Sequence, residues 1–180
     1  MRLQLFEYPE GVEIGGGNSI LYDVDRNEAH FGAARVEGRA LHFELAGKED
    51  ARAELSAPVD LDPGEEWLLR CDRVDFPLNG VAYLHTHAGP GIRCLLHGAI
   101  RIDTEGRSTP IGPFGSWFES GAEPVYAAAS EWEETAFVRV MVLPRRLLGQ
   151  SSIRYVNEED GAKLKSQRYT VFVDQPIELR

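Results

Sequence analysis

The sequence predicts an all-β sandwich or barrel, on three observations. Short runs rich in β-branched and aromatic residues recur along the chain, Gly, Pro, Asn and Asp break them at short intervals, and helical periodicity is thin. SILYDV is the first run, and Asn27, Gly32 and Gly38 separate it from RALHFEL. AGKED then leads to ARAELSA, and a Pro- and Asp-bearing stretch to EWLLRCDRVDF. PLNG turns this run into VAYLHTH, AGPG turns that into IRCLLH, and Gly98 introduces AIRID. A Gly- and Pro-bearing loop precedes SWFES, GAE precedes PVYAAAS, and EWEE precedes TAFVRVMVL. SIRYV and RYTVFVD close the series. PRRLLG and NEEDGAKLKS are long enough for a turn or two of helix, and neither carries an apolar stripe at i, i+3, i+4.

At 180 residues the chain has the length of one domain, read here as 1–180, and can bury a core without staples. Acidic residues number 29 against 19 basic, a formal charge of −10, and Lys and Arg do not cluster beyond Arg145-Arg146. Such a field repels phosphate backbones and anionic lipid, which argues against nucleic-acid and membrane-surface roles. The N-terminal residues lack the basic start and apolar stretch of a secretion signal, and no run is long enough to span a bilayer, so a cytoplasmic protein is expected. Cys71 and Cys94 form no CxxC and are expected to be buried, reduced thiols. The glycines at 15–17 lack a following Lys-Ser/Thr and are expected in a loop.

The stretch YLHTHAGPGIRCLLHG carries the chemistry. The strand period of two places Val81, Tyr83, His85 and His87 on one face of VAYLHTH, so two imidazoles project side by side. Neutral imidazole is a good ligand for Zn, Fe, Mn or Ni, and His-x-His on a strand offers two of them without backbone distortion. The other reading is a pair of histidines hydrogen-bonded inside a barrel mouth.

These residues resemble the first motif of the cupins, in which Gly and His-x-His are followed by Glu and then a closing Gly. Here His85-Thr86-His87 leads through Ala88, Gly89 and Pro90 to Gly91 at the acid's place, and Gly98 closes the motif. Gly80 sits one residue late. The second cupin motif, from Gly through Pro-x-Gly to His and Asn, matches Gly115 to Ser130, where Tyr126, or Val125 on a one-residue slip, falls on the histidine. The resemblance covers residues 65–145 and implies a jelly-roll β-barrel, with the N- and C-terminal segments adding strands to the barrel or to a dimer.

Two ligands hold a metal weakly, so a third is needed. Glu119 in SWFES is the first candidate, completing a facial triad with His85 and His87; it also reads as a surface glutamate. Tyr126 offers a phenol as weak ligand or proton donor, or is core. Arg93 shares the face of Gly91 and either orients a carboxylate or enolate substrate or is neutralised by Glu119 or Asp103. Phe114, Trp117, Phe118, Tyr83 and Leu95 are expected to line an apolar pocket, and Leu95, Val138 and Val140 to build the barrel core. The resemblance implies a small-molecule-binding cupin, read first as a metal-dependent oxygenase, isomerase or lyase acting on a small organic acid or carbonyl compound. The alternatives are a metal-free sugar epimerase or isomerase using His85 as base and Tyr126 as acid, and a non-catalytic sensor or storage barrel. A homodimer is expected, because SILYDV and RYTVFVD are apolar enough to pair with another subunit.

Overall fold

In a computed structural model that describes residues 1–179, fifteen strands pair antiparallel into three sheets. The first five strands are β1 (Arg2–Tyr8), β2 (Val12–Asp23), β3 (Glu28–Val36), β4 (Ala40–Ala46) and β5 (Leu55–Pro58). They form one sheet in the order β3-β2-β4-β1-β5. Eight successive strands follow: β6 (Trp67–Phe76), β7 (Val81–His87), β8 (Gly91–His97), β9 (Ile100–Thr104), β10 (Arg107–Ile111), β11 (Ser116–Glu119), β12 (Val125–Ala129) and β13 (Thr135–Pro144). They divide between two sheets, paired β11-β8-β13-β6 and β10-β9-β12-β7, with β9 and β10 forming a hairpin within the second. That order is two interlocked Greek keys, the topology of a jelly roll. β14 (Ile153–Tyr155) extends the second sheet beside β7, and β15 (Arg168–Ile177) extends the first beside β6. Between them lies α1 (Glu158–Ala162), and PRRLLG makes a 3-10 turn at Arg145–Leu147. No helix among the described residues is long and apolar enough to cross a membrane.

The predicted strands form, ARAELSA only from Leu55 onward. β1, β3 and β10 are additional; β10 is almost wholly exposed and β3 half-exposed with a glycine at its centre, so neither carries the apolar run that marks a strand in sequence. The glycines at 15–17 lie within β2 rather than in a loop. The ladder to β3 shifts register there, and Gly16 and Gly17 take φ of 105° and 93°, which residues with a Cβ rarely adopt.

The N-terminal sheet packs on the outer face of the barrel sheet. Leu3, Leu5, Ile20, Tyr22, Leu41 and Phe43 from one side meet Leu69, Cys71, Ile92, Cys94, Val138 and Val140 from the other in one buried cluster. Each such side chain contributes about 1.5–3 kcal/mol on leaving water. Val138 and Val140 therefore point away from the barrel interior. It is Phe137, Arg139, Met141 and Leu143 that face inward, and burial on both sides explains the unbroken apolar run of β13. β2 is an internal strand, paired on both edges, so SILYDV is not available to another subunit. Cys71 and Cys94 are free and buried, and burial pushes both thiols up, Cys94 to about 12.

Inside the barrel, one end is solid. Trp117, Phe137, Leu95, Val125, Ile100 and Ile102 fill it, with Trp117 edge-on to Phe137 at 5.2 Å between centroids. The expected aromatic pocket does not form: Trp117 and Leu95 are plain core, and Phe114 and Phe118 pack toward the N-terminal sheet.

His42, on β4, is buried and stacked on Phe6 at 5.4 Å, and its Nε2 finds no partner. Burial pushes its pKa from 6.5 down to about 4. A folded pKa below the unfolded one means this stabilisation is present above pH 6.5 and lost as pH falls toward 4. Replacing His42 with Phe should therefore reduce the loss of stability between pH 7 and pH 4.5, measured by urea unfolding, by about 2–3 kcal/mol.

Candidate functional site

β7 carries a β-bulge that sets the site. Across the ladder to β12, Ala127 pairs with Ala82 but Val125 pairs with His85, so β7 holds one extra residue between them. The bulge changes phase: Ala82 faces the inner core, and after it His85 and His87 face inward. Val81 and Tyr83 thus do not share the histidine face. Tyr83 is half-buried on the outside, with Lys163 Nζ 4.5 Å from its ring centre.

The two imidazoles are buried and meet at right angles, with Nε2 to Nε2 3.2 Å. His85 Nδ1 lies 2.6 Å from the Tyr83 carbonyl, which only accepts, so Nδ1 carries the proton and Nε2 keeps a lone pair. His87 Nε2 also lies 3.4 Å from Arg139 Nη1, a group that only donates. His87 Nε2 thus stands between a lone pair, His85 Nε2 at 3.2 Å, and a donor, Arg139 Nη1 at 3.4 Å: with its proton on Nε2 it donates to His85, and with its proton on Nδ1 it accepts from Arg139 and donates to Ser152 Oγ at 3.2 Å. Burial lowers the pKa of both histidines, for His87 strongly, with the charges of Arg139 and Arg93 adding to it, so the pair is neutral at pH 7.

Gly91 pairs directly with Glu119 across β8 and β11. The carboxylate thus enters the barrel from the neighbouring strand, opposite the position where the cupin motif would carry its own. Glu119 Oε1 accepts from Trp117 Nε1 at 2.8 Å, and Oε2 lies 2.6 Å from Arg93 Nη2 and 3.9 Å from His87 Nε2. Arg93 Nη1 donates to the Gly91 carbonyl at 2.6 Å. Arg93 is 1% exposed, and burial lowers its pKa to about 10 against the opposing pull of Glu119. Of the two readings of Arg93, the structure has the guanidinium buried against Glu119. Asp103, the other proposed partner, is engaged outside by Arg101 and Ser108.

Tyr126 stands on the outer face of β12, since its neighbours Val125 and Ala127 face the inner core. The proposed base–acid pair of His85 and Tyr126 is therefore not assembled, and the second-motif position opposite His85 is held by Val125. The phenol near His85 is Tyr155, its register partner on β14, with ring centres 6.3 Å apart.

The structure adds Arg139 and Asp72. Arg139 Nε and Nη2 clamp Asp72 at 2.6 and 3.1 Å, and both side chains line a cavity of about 540 Å³ with Ser152, Tyr155, Tyr169 and Val171. The cavity lies between the sheet extensions β14 and β15. A bulge in β15 between Val171 and Val173 keeps Tyr169 and Val171 over the inner face of β6 while Val173 joins the outer core. The signal for Arg139 was present in sequence as the single charge within TAFVRVMVL, where a buried cation demands a partner.

As a metal centre the donor set is half complete. Two imidazole nitrogens 3.2 Å apart are spaced as two ligands of one divalent ion. The third candidate, Glu119, is held by Arg93 and Trp117, and Arg139 flanks His87 Nε2. Among the described residues no group of three ligating side chains meets. The residues as arranged do not fit a closed divalent site.

Gly91 also has no room for the acid. A Cβ there would lie 2.7 Å from the Val140 carbonyl oxygen and 2.8 Å from Met141 Cγ. Gly91→Glu, which would restore the family acid, should therefore lower stability by about 1–3 kcal/mol in chemical denaturation, and Gly91→Ala should already show part of the loss.

No protein-family model matches the chain, and no curated protein sequence matches it. Among solved structures, the salicylate 1,2-dioxygenase of Pseudaminobacter salicylatoxidans is 8% identical, with 94% of this chain and 70% of that one covered at a TM-score of 0.45. A cupin 2 conserved barrel domain protein from Leptotrichia buccalis is 11% identical over 78% of this chain and 73% of that one, at 0.41. The polyketide cyclase RemF of Streptomyces resistomycificus is 19% identical over 52% of this chain, which spans 63% of that protein, at 0.41. On its own strand order the chain is a jelly-roll β-barrel with His-x-His on the second strand, and these cupin structures are among those it is similar to.

Proposed function

We propose that the chain is a small-molecule-binding cupin that acts on a small organic acid or carbonyl compound at the cavity between β14 and β15. The carrying observation is the contact of His87 Nε2 with Arg139, a residue of the cavity wall. A neutral imidazole with a lone pair is a general base, and a guanidinium beside it stabilises negative charge as it develops on a carbonyl oxygen. In the tautomer that accepts from Arg139, His87 Nδ1–H donates to Ser152 Oγ on the other side, and His85 lies behind the ring within the barrel. Asp72 holds Arg139 in place.

A metal-dependent reading has one observation in its favour, the 3.2 Å between the two Nε2 atoms. In that reading His85, His87 and Glu119 would hold Zn, Fe, Mn or Ni, which would polarise a substrate oxygen, and Glu119 would have to leave Arg93. Elemental analysis of untagged protein, with titration of the four metals into wild type and into a variant with both histidines replaced by Ala, separates the two. On the first reading the protein carries far less than one equivalent of metal, and the variant still unfolds in one cooperative transition but loses ligand affinity or turnover. A full equivalent of metal, lost in the variant, would establish the second.

The proposed assembly is a homodimer through β15, the terminal strand of its sheet, with one edge free of ladder pairing. Leu148, Val156 and Leu164 are exposed in the same C-terminal region and would lose that exposure in a dimer. Light scattering at micromolar concentration should give twice the chain mass, and Leu164→Lys should shift the protein toward monomer.

A further inference from the structure

The charges that line the cavity are almost all spent on partners within the protein. Arg70 gives Nε and Nη2 to Asp174, Nη1 to the Gln150 carbonyl and Nη2 also to the Leu147 carbonyl. Lys165 Nζ donates to the carbonyls of Asp160, Gly161 and Lys163 while lying 4.1 Å from the centre of the Tyr155 ring. Asp72 is clamped by Arg139, and Asp174 by Arg70 and the Gly149 N–H. Among the cationic groups of the wall, one nitrogen gives to no oxygen: Arg139 Nη1, whose neighbour is His87 Nε2 at 3.4 Å. A neutral imidazole at that distance is a poor match for a charged donor, and a carboxylate oxygen is a much better one.

Beside the uncharged polar side chains of Gln150, Ser151 and Ser152, the wall carries an apolar and aromatic part made by Ile153, Val171 and the rings of Tyr155 and Tyr169, and the Tyr169 ring centre lies 5.7 Å from the Arg139 guanidinium carbon. We propose that the cavity takes a small organic acid with one carboxylate and an apolar body, the carboxylate on Arg139 Nη1 and the body against Tyr155, Tyr169 and Val171. This rests on the reading of the cavity as the ligand site and narrows it. A second negative charge, as on a dicarboxylate or a phosphate ester, would meet the Asp72 and Asp174 carboxylates with no uncommitted cation to receive it.

The test uses phenylacetate, its neutral analogue phenylacetamide, and the doubly charged adipate and inorganic phosphate as probes. Calorimetry on the wild type should show phenylacetate binding at least about tenfold, or ~1.4 kcal/mol, more tightly than the other three. Because Arg139→Met alone would leave Asp72 buried without a partner, it is paired with Asp72→Asn. In that variant phenylacetate should fall to the affinity of the amide. A readout independent of any variant is nitrogen NMR of the wild-type imidazoles, in which phenylacetate should move the His87 Nε2 resonance and the amide should not. If amide and acid bind equally and Val171→Trp blocks both, the cavity is a ligand site but the carboxylate assignment is overturned. If no probe binds, both the assignment and the site reading fail. Tighter binding of phosphate or adipate overturns the assignment as well.

Discussion

The burial of β6, β8 and β13 on both faces is the constraint on which the rest of the structure depends. Their outward side chains, Leu69, Cys71, Ile92, Cys94, Val138 and Val140, are covered by the N-terminal sheet. Their inward side chains include Asp72, Arg93 and Arg139, charges that the barrel encloses. A strand held from behind by a second sheet has little freedom to move, which is what a set of buried charges at hydrogen-bond distances requires. The N-terminal residues serve the site in this way without contributing to its chemistry.

Inside the barrel the charges close on one another. Asp72 balances Arg139 and Glu119 balances Arg93, so the formal charge of the four is zero and the two histidines between them stay neutral. Two ion pairs out of water cost several kcal/mol per ion in desolvation, which their attraction offsets only with good geometry; loss of one member costs about 3–5 kcal/mol. Such an arrangement adds little to stability that packed hydrocarbon would not. Its value lies in orientation: Asp72 fixes Arg139, Arg139 is held beside His87, and the Tyr83 carbonyl fixes the protonation pattern of His85.

The departure from the cupin motif also has a physical reading. At Gly91 the backbone of β13 comes so close that a Cβ would meet the Val140 carbonyl oxygen, so the strand that elsewhere would supply an acid cannot. Glu119 enters from the next strand at the same register and meets Arg93, whose own register partner on β13 is Arg139. The carboxylate is thus present in the barrel, but with an arginine for its first partner. The consequence is a site organised by guanidinium groups.

The sequence by itself determined the strand content, the His-x-His strand and its place in a jelly roll, the inward direction of Arg93, and the buried state of both thiols. Each of these follows from local period, turn residues or apolar content, which neighbouring residues carry. It missed β3 and β10 because exposed strands lack an apolar alternation. It misplaced Tyr83 because a bulge changes the period of two, and only the ladder to β12 shows where the extra residue falls. Tyr126 was assigned by motif counting, yet its side of the strand follows from which neighbours the barrel buries. Which face of β13 looks inward, and therefore that Arg139 enters the barrel while Val138 and Val140 do not, depends on the sheet that covers the other face. Such facts are set between residues far apart in the chain, by strand register and by what packs behind each strand, and only the tertiary structure decides them.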